Sequence, residues 1–257
     1  MTQPSVQYAR DGFFVSPPVI PRDLIERVQP HIEAVMYGQY ETGREPIRRW
    51  NPGDSSTAIR KINEVHVSDK TILEFVTHPE IGRWAARITG AKAIQLWATQ
   101  MLYKPPGGNA SGTVGWHQDF QYWSKIWSAN SEVFTAWVAV SDVKEESGPM
   151  VFVPGSHHWG LLNAGDFFDH DRDRTRSEIR VPLGRQWAET AAILPPGSMS
   201  FHHCLTYHGS GPNRSLSPRI SFAIHLRTEK SKPVEGSTDH YITDLGDPEK
   251  APVIYRA

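Results

Sequence analysis

The chain has one cysteine, Cys204, in 257 residues, so no intrachain disulfide can form, and a lone buried thiol is the reading to carry forward. It also has no excess charge of either sign. With 27 Lys+Arg against 28 Asp+Glu, a formal net charge of -1 and a sequence pI near 6.9, it lacks the overall basic field that a nucleic acid or an anionic membrane surface would require. No run approaches the ~20 apolar residues needed to span a membrane. The opening "MTQPSVQYARDGFF" has no charged-then-apolar signal layout, so the expected compartment is the cytoplasm. Internal repeats and low-complexity tracts are missing too, and the 20 prolines and 20 glycines are spread among turns, which points to one domain over residues 1–257. What is abundant is tryptophan (nine) and histidine (12).

Two stretches in the first third have helix start and stop signals. "PRDLIERVQPHIEAVMYG" opens on Pro21, repeats apolar residues at Leu24, Ile25, Val28, Ile32 and Val35, and closes on Gly38; Pro30 predicts a kink. "SDKTILEFVTHPEIGRWAARITG" offers Ser68 as a cap, and Pro79 divides it into two short helices. From about Ala91 the pattern changes to short, β-branched and aromatic segments: "AKAIQLWATQMLYK", "EVFTAWVAVSDV", "PMVFVPGS", "AETAAILPPGSMSFH" and "RISFAIHLRT". These predict the strands of a mainly β body. Two polar stretches, Tyr40 to Lys61 and Asp166 to Glu178, interrupt it and are candidate lids.

The segment "GWHQDFQYW" places His117 and Asp119 two residues apart. On a strand, residues i and i+2 share a face, so the imidazole and the carboxylate can converge on one cation while Gln118 points away. A second histidine would complete a set suited to a divalent first-row metal and leave three positions open. Downstream, His208 closes a strand-like run, a Gly/Pro/Asn turn follows, and Arg219 opens the next strand eleven residues on. If those strands pair across the turn, the guanidinium lies beside the metal and can hold a carboxylate bidentately. Read separately, His208 is a turn histidine and Arg219 a surface ion-pairing residue.

His117-x-Asp119, then "TAWVAVSDVKEESGPMVFVPGSHHWG", then "PPGSMSFHHCLTYHGSGPN" with Arg219 following, resembles the phytanoyl-CoA dioxygenase family of iron(II)/2-oxoglutarate-dependent oxygenases over roughly Phe13 to Arg227. The resemblance implies a double-stranded β-helix (jelly-roll, cupin-like) core at about 91–228, with a helical part at 1–90 and a C-terminal extension at 229–257. It further implies iron(II) on His117, Asp119 and His208, with Arg219 on the distal carboxylate of 2-oxoglutarate. Ser210 and Trp137 match cosubstrate-contacting positions, and Gln100 and Lys104, on the preceding strand, are further candidates. The implied reaction consumes O2, splits 2-oxoglutarate into succinate and CO2, and oxidises a small-molecule substrate. Retention of Asp119 favours hydroxylation over halogenation, while desaturation, epimerisation and ring closure use the same ligands. Two other classes compete: a non-catalytic metal-binding jelly-roll protein, and a zinc hydrolase, which would give Arg219 no role.

Other residues have plainer readings. His157, in "PGSHHWG", has a structural place in a turn, and of the neighbours His202 and His203 one must face away from any site. Tyr122, Trp123 and Trp127 are candidates for a substrate wall or for core. Arg44, Arg48, Arg49, Arg60 and Lys61 read as a solvated loop face, with an anionic substrate group as the alternative.

Overall fold

Proline marks the start of three helices: Pro4 begins α1 (Pro4–Asp11), Pro21 precedes α2 (Arg22–Met36), and Pro79 begins the fourth helix. Each sits where an unpaired N–H would otherwise be left. The computed structural model describes residues 3–257 apart from Arg49, and Arg48 by its backbone only. Arg49 and the Arg48 side chain, both in the basic cluster of the first polar stretch, lie outside the described residues.

Between α1 and α2 comes β1 (Phe13–Val15), and after α2 come β2 (Ile47–Arg48) and β3 (Arg60–Asn63). Helices α3 (Lys70–Val76) and α4 (Pro79–Thr89) follow, separated next to Pro79 as expected. The cap of α3 is Asp69, whose carboxylate accepts from the Ile72 N–H, and not Ser68, which ends a preceding turn of 3-10 helix. Helix α2 continues through Pro30, stabilised by a buried stripe of Leu24, Ile25, Val28, Ile32 and Val35. The β body comprises β4 (Ala93–Lys104), β5 (Val114–His117), β6 (Val133–Ala139), β7 (Met150–Phe152), β8 (Thr190–Ala192), β9 (Met199–His203), β10 (His208–Ser210) and β11 (Arg219–Thr228). Short helices α5 (Phe120–Trp123), α6 (Arg172–Glu178) and α7 (His240–Thr243) lie in the connections, and β12 (Val253–Arg256) ends the chain.

The strands form two antiparallel sheets. The large one runs β1-β9-β6-β11-β4-β3-β2, with β12 also paired to β4, and the small one runs β5-β10-β7-β8. The helical first third therefore supplies three strands toward the ends of this sheet, and the C-terminal extension a fourth, which their short length hid from the sequence pattern.

Alternation along each central strand divides the core. Phe222, Ile224 and Leu226 of β11, Phe134, Ala136 and Val138 of β6, and Met199 and Phe201 of β9 join the helices in one apolar cluster on the outer face of the large sheet. Between the sheets lie Phe13, Leu102, Trp137, Ala139, Met150, Phe152 and Ala223. The polar residues Thr135, His202, Arg219, Ser221 and His225 share that inter-sheet side of the strands. A sandwich interior lined with buried polar groups costs stability unless each group has a partner, so this face is where a function is to be sought. Among the described residues no helix is long and apolar enough to cross a membrane.

Candidate metal and cosubstrate centre

His117 and His208 face each other across the β5–β10 ladder as direct register partners. Their rings are 4.1 Å apart between centroids. Each Nδ1 is 2.9 Å from a main-chain oxygen, Gly115 O for His117 and Thr206 O for His208. A carbonyl only accepts, so both Nδ1 atoms carry the proton and both Nε2 lone pairs point into the cavity. Asp119 Oδ1 lies 3.5 Å from His117 Nε2 and 3.6 Å from His208 Nε2. These three atoms form a buried group able to hold a metal ion.

The route by which Asp119 arrives differs from the expected one. β5 ends at His117, and Asp119 has helical dihedrals (φ -56, ψ -38) at the head of α5. The carboxylate is thus brought round by a helical turn and not by strand alternation, because the Phe120 N–H is held by Cys204 O at 2.9 Å and the chain folds over at that point. Burial alone would raise the Asp119 carboxyl, but His208, His117 and His202 around it overcome this and hold it well below the ordinary carboxylate range. Burial, with His117 alongside, drives His208 well below the usual imidazole value, leaving the neutral form that metal ligation needs.

Arg219 also reaches the cavity by an unexpected path. β10 and β11 do not pair; they belong to opposite sheets, and the Gly211–Pro218 turn carries the chain from one to the other. Arg219 still faces inward, 1% exposed, with its guanidinium carbon 5.1 Å from the Trp137 ring centroid and Nη1 donating to Gly148 O at 2.9 Å. Its Nε has no partner among the described residues. Lys104, directly opposite Arg219 in the β4–β11 register, is fully buried and donates to Ser210 Oγ at 2.6 Å and Gly211 O at 2.5 Å. Neither cation has a carboxylate partner among the described residues. Burial lowers Arg219 to about 9 and, with Arg219 and Arg172 nearby, drives Lys104 well below its usual value. Gln100, Trp137 and Ser210 line the same cavity as the His/Asp/His group and Arg219.

The aromatic expectations divide. Trp127 is core, fully buried in a cluster with Trp97 and Trp123, and Trp123 stands edge-on to His225. Tyr122 approaches His117 with a centroid distance of 6.0 Å. Phe167, which the sequence reading missed, is closer at 5.2 Å and lines the cavity. It lies in one of the two proposed lids, but that segment is tied down: Gly115 N–H donates to Phe167 O, Gln121 Nε2 to Gly165 O, and Tyr207 Oη to Ala164 O. A Cβ at Gly165, where φ is +84, would lie 2.0 Å from Trp116 O, so the close approach requires glycine. These contacts hold Phe167 against β5 as a wall of the cavity. Tyr122 Oη completes it, donating to Asp166 Oδ1 and accepting from the Phe167 N–H, both at 2.7 Å. Tyr122→Phe is expected to speed amide exchange at Phe167 by the loss of about 1 kcal/mol of local hydrogen bonding, with the strands unaffected; exchange mass spectrometry reads both regions.

Of the basic cluster, Arg44 is exposed and paired with Glu249, and Arg60 stacks on Trp50 and Tyr103. Lys61 departs from the solvated reading: on β3 it faces inward, 8% exposed, with Nζ 4.2 Å from the Phe167 ring centroid. His157 has the expected structural place, Nε2 on Ala9 O at 3.0 Å, and Cys204 is buried. Of the adjacent pair, His203 turns away, whereas His202 turns inward and lines the cavity.

A sequence profile of the phytanoyl-CoA dioxygenase family matches residues 8–221. The chain belongs to that family. By class, a member of this phytanoyl-CoA dioxygenase family is an oxidoreductase that works with non-haem iron(II), 2-oxoglutarate and O2. The ectoine dioxygenase of Bordetella parapertussis is 28% identical over 235 residues, covering 87% of this chain and 74% of that protein. Human peroxisomal phytanoyl-CoA dioxygenase is 25% identical over 236 residues, covering 85% and 66%. A probable alpha-ketoglutarate-dependent hypophosphite dioxygenase of Stutzerimonas stutzeri is 26% identical over 191 residues, 72% of this chain; the chain spans 62% of that relative's length. Among solved structures, the epimerase SnoN from nogalamycin biosynthesis superposes with a TM-score of 0.67 at 21% identity, covering 92% of this chain and 86% of that one. EctD from S. alaskensis superposes with a TM-score of 0.70 at 18% identity, covering 93% and 81%. At such identities the superpositions speak for the jelly-roll fold alone.

Proposed function

We propose that this protein hydroxylates an unactivated C–H bond of a small molecule, converting R–H, O2 and 2-oxoglutarate into R–OH, succinate and CO2. One observation carries the reading: a fully buried cation without a carboxylate partner, Arg219, lines the cavity that holds two Nε2 lone pairs and a carboxylate, with Lys104 behind it on the Ser210 hydroxyl. A buried, unpaired positive charge costs several kcal/mol, and a dicarboxylate ligand relieves that cost where a metal alone does not. This favours an oxygenase over a structural metal site or a zinc hydrolase.

His117, Asp119 and His208 would hold iron(II), with the two imidazoles oriented by Gly115 O and Thr206 O. Bound there, the iron supplies the oxygen activation that couples 2-oxoglutarate decarboxylation to C–H oxidation. Arg219 would take the distal carboxylate with its free guanidinium edge, and Trp137 restricts that guanidinium to one plane. Lys104 would position the Ser210 hydroxyl, whose oxygen it already holds. Phe167, together with Tyr122, shields the cavity from water on the His117 side. The test is release of CO2 from carboxyl-labelled 2-oxoglutarate. It should require both iron(II) and O2 and should give succinate in equal amount; release that persists without iron would overturn the proposal.

A further inference from the structure

The second oxygen of Asp119 is held as deliberately as the first is exposed. Oδ2 lies 3.0 Å from Thr135 Oγ1 and 3.3 Å from His202 Nε2. Thr135 Oγ1 is in turn 3.0 Å from His225 Nδ1. All four residues are buried. Counting protons fixes the direction of each bond. An ionised carboxylate offers none, so Thr135 gives its single hydroxyl proton to Asp119, and His225 Nδ1 must then be the N–H that donates to Thr135. His202 Nε2 must likewise carry its proton toward Asp119. The remaining ring nitrogens, His202 Nδ1 and His225 Nε2, are buried lone pairs with no partner among the described residues. Two such orphans in one site are a cost that packing alone does not explain.

The three donors form one cross-strand row. Thr135 on β6 is the register partner of both His202 on β9 and His225 on β11. The large sheet therefore presents two donors, Thr135 and His202, to a carboxylate that enters from α5 on the other side of the cavity, with His225 donating to Thr135 from behind. We infer that His202 and Thr135, with His225 behind Thr135, are positioning residues that fix Asp119 as a one-oxygen ligand. This inference rests on the reading of His117, Asp119 and His208 as the metal site. A carboxylate released from Thr135 and His202 can rotate and chelate with both oxygens. It would then occupy one of the three positions that two histidines and a single carboxylate oxygen leave open for the two atoms of a 2-oxo acid and for O2.

Cobalt(II) in the metal-free protein, followed by its d–d absorption, tests this without turnover. In the wild-type protein, adding 2-oxoglutarate to the cobalt complex should change the d–d bands. Thr135→Val, equal in shape but without a donor, and His202→Phe should each weaken cobalt binding by about 10–100-fold and reduce the spectral response to 2-oxoglutarate. Thr135→Ser should restore both, and His225→Phe, acting at one remove, should show the smaller change. Wild-type cobalt affinity and an undiminished 2-oxoglutarate response in Thr135→Val and His202→Phe, with His117→Ala losing the metal, would overturn the inference and leave the metal site standing. Should His117→Ala also keep wild-type affinity, the metal-site reading itself fails.

Discussion

His117→Ala and His208→Ala are expected to abolish 2-oxoglutarate turnover and to lower iron(II) affinity by more than the roughly 100-fold that loss of a residue behind a ligand can cause. Each would remove one of the three side chains proposed to hold the ion, and a site reduced to one imidazole and one carboxylate holds a divalent ion little better than many exposed His/Asp pairs. The fold should survive, because both side chains face the cavity and lie outside the apolar cluster between sheet and helices. Metal titration of the purified variants, with circular dichroism in parallel, reads the two effects separately. His203→Ala is the proper control, since it lies on the same strand but faces away; His202 touches Asp119 and is not a neutral substitution. Iron affinity at the wild-type level in either ligand variant would contradict the site.

Arg219→Ala is expected to lower the affinity for 2-oxoglutarate by roughly thirtyfold or more at unchanged metal affinity. Loss of a charge-assisted contact in a partly dry pocket costs on the order of 2–5 kcal/mol, at about 1.4 kcal/mol per tenfold. Arg219→Lys recovers only part, because an ammonium keeps the charge without the planar fork. Lys104 sharpens the test. Its Nζ donates to the buried Ser210 Oγ and Gly211 O, so Lys104→Met should lower the melting temperature of the free protein and shrink the shift that 2-oxoglutarate produces. Anaerobic titration of the iron complex and thermal unfolding with and without 2-oxoglutarate measure both quantities. Equal 2-oxoglutarate affinity in Arg219→Ala and wild type would mean that another group anchors the cosubstrate.

The sequence showed the long β body, the paired helices split at Pro79, and the inward convergence of His117, Asp119, His208 and Arg219. It misled on how two of them arrive. Strand periodicity offered a simple reason for Asp119, whereas a main-chain bond from Phe120 to Cys204, far away in sequence, turns the backbone into a helix at that point. The eleven residues between His208 and Arg219 resembled a hairpin, and nothing local distinguishes a hairpin turn from a crossover between sheets. Thr135, His202 and His225 were legible in principle. Counting by twos from Arg219 gives Ser221, Ala223 and His225, and counting back by twos from Trp137 gives Thr135, opposite a complementary series of Ile, Phe and Leu. Polar residues recurring on the face of a strand opposite its apolar one are the signal. Phe167 had no such signal, because its place depends on glycine-mediated contact with β5.

The two sheets have no ladder in common. His117 and His208 belong to the small sheet, while Arg219, Trp137 and the donors to Asp119 belong to the large one. A metal ion and a dicarboxylate bound between them would act as a further rivet through two plates already joined by side-chain packing, the Gly211–Pro218 crossover and the Lys104–Ser210 and Thr135–Asp119 hydrogen bonds. Filling the site would then also brace the two sheets against each other.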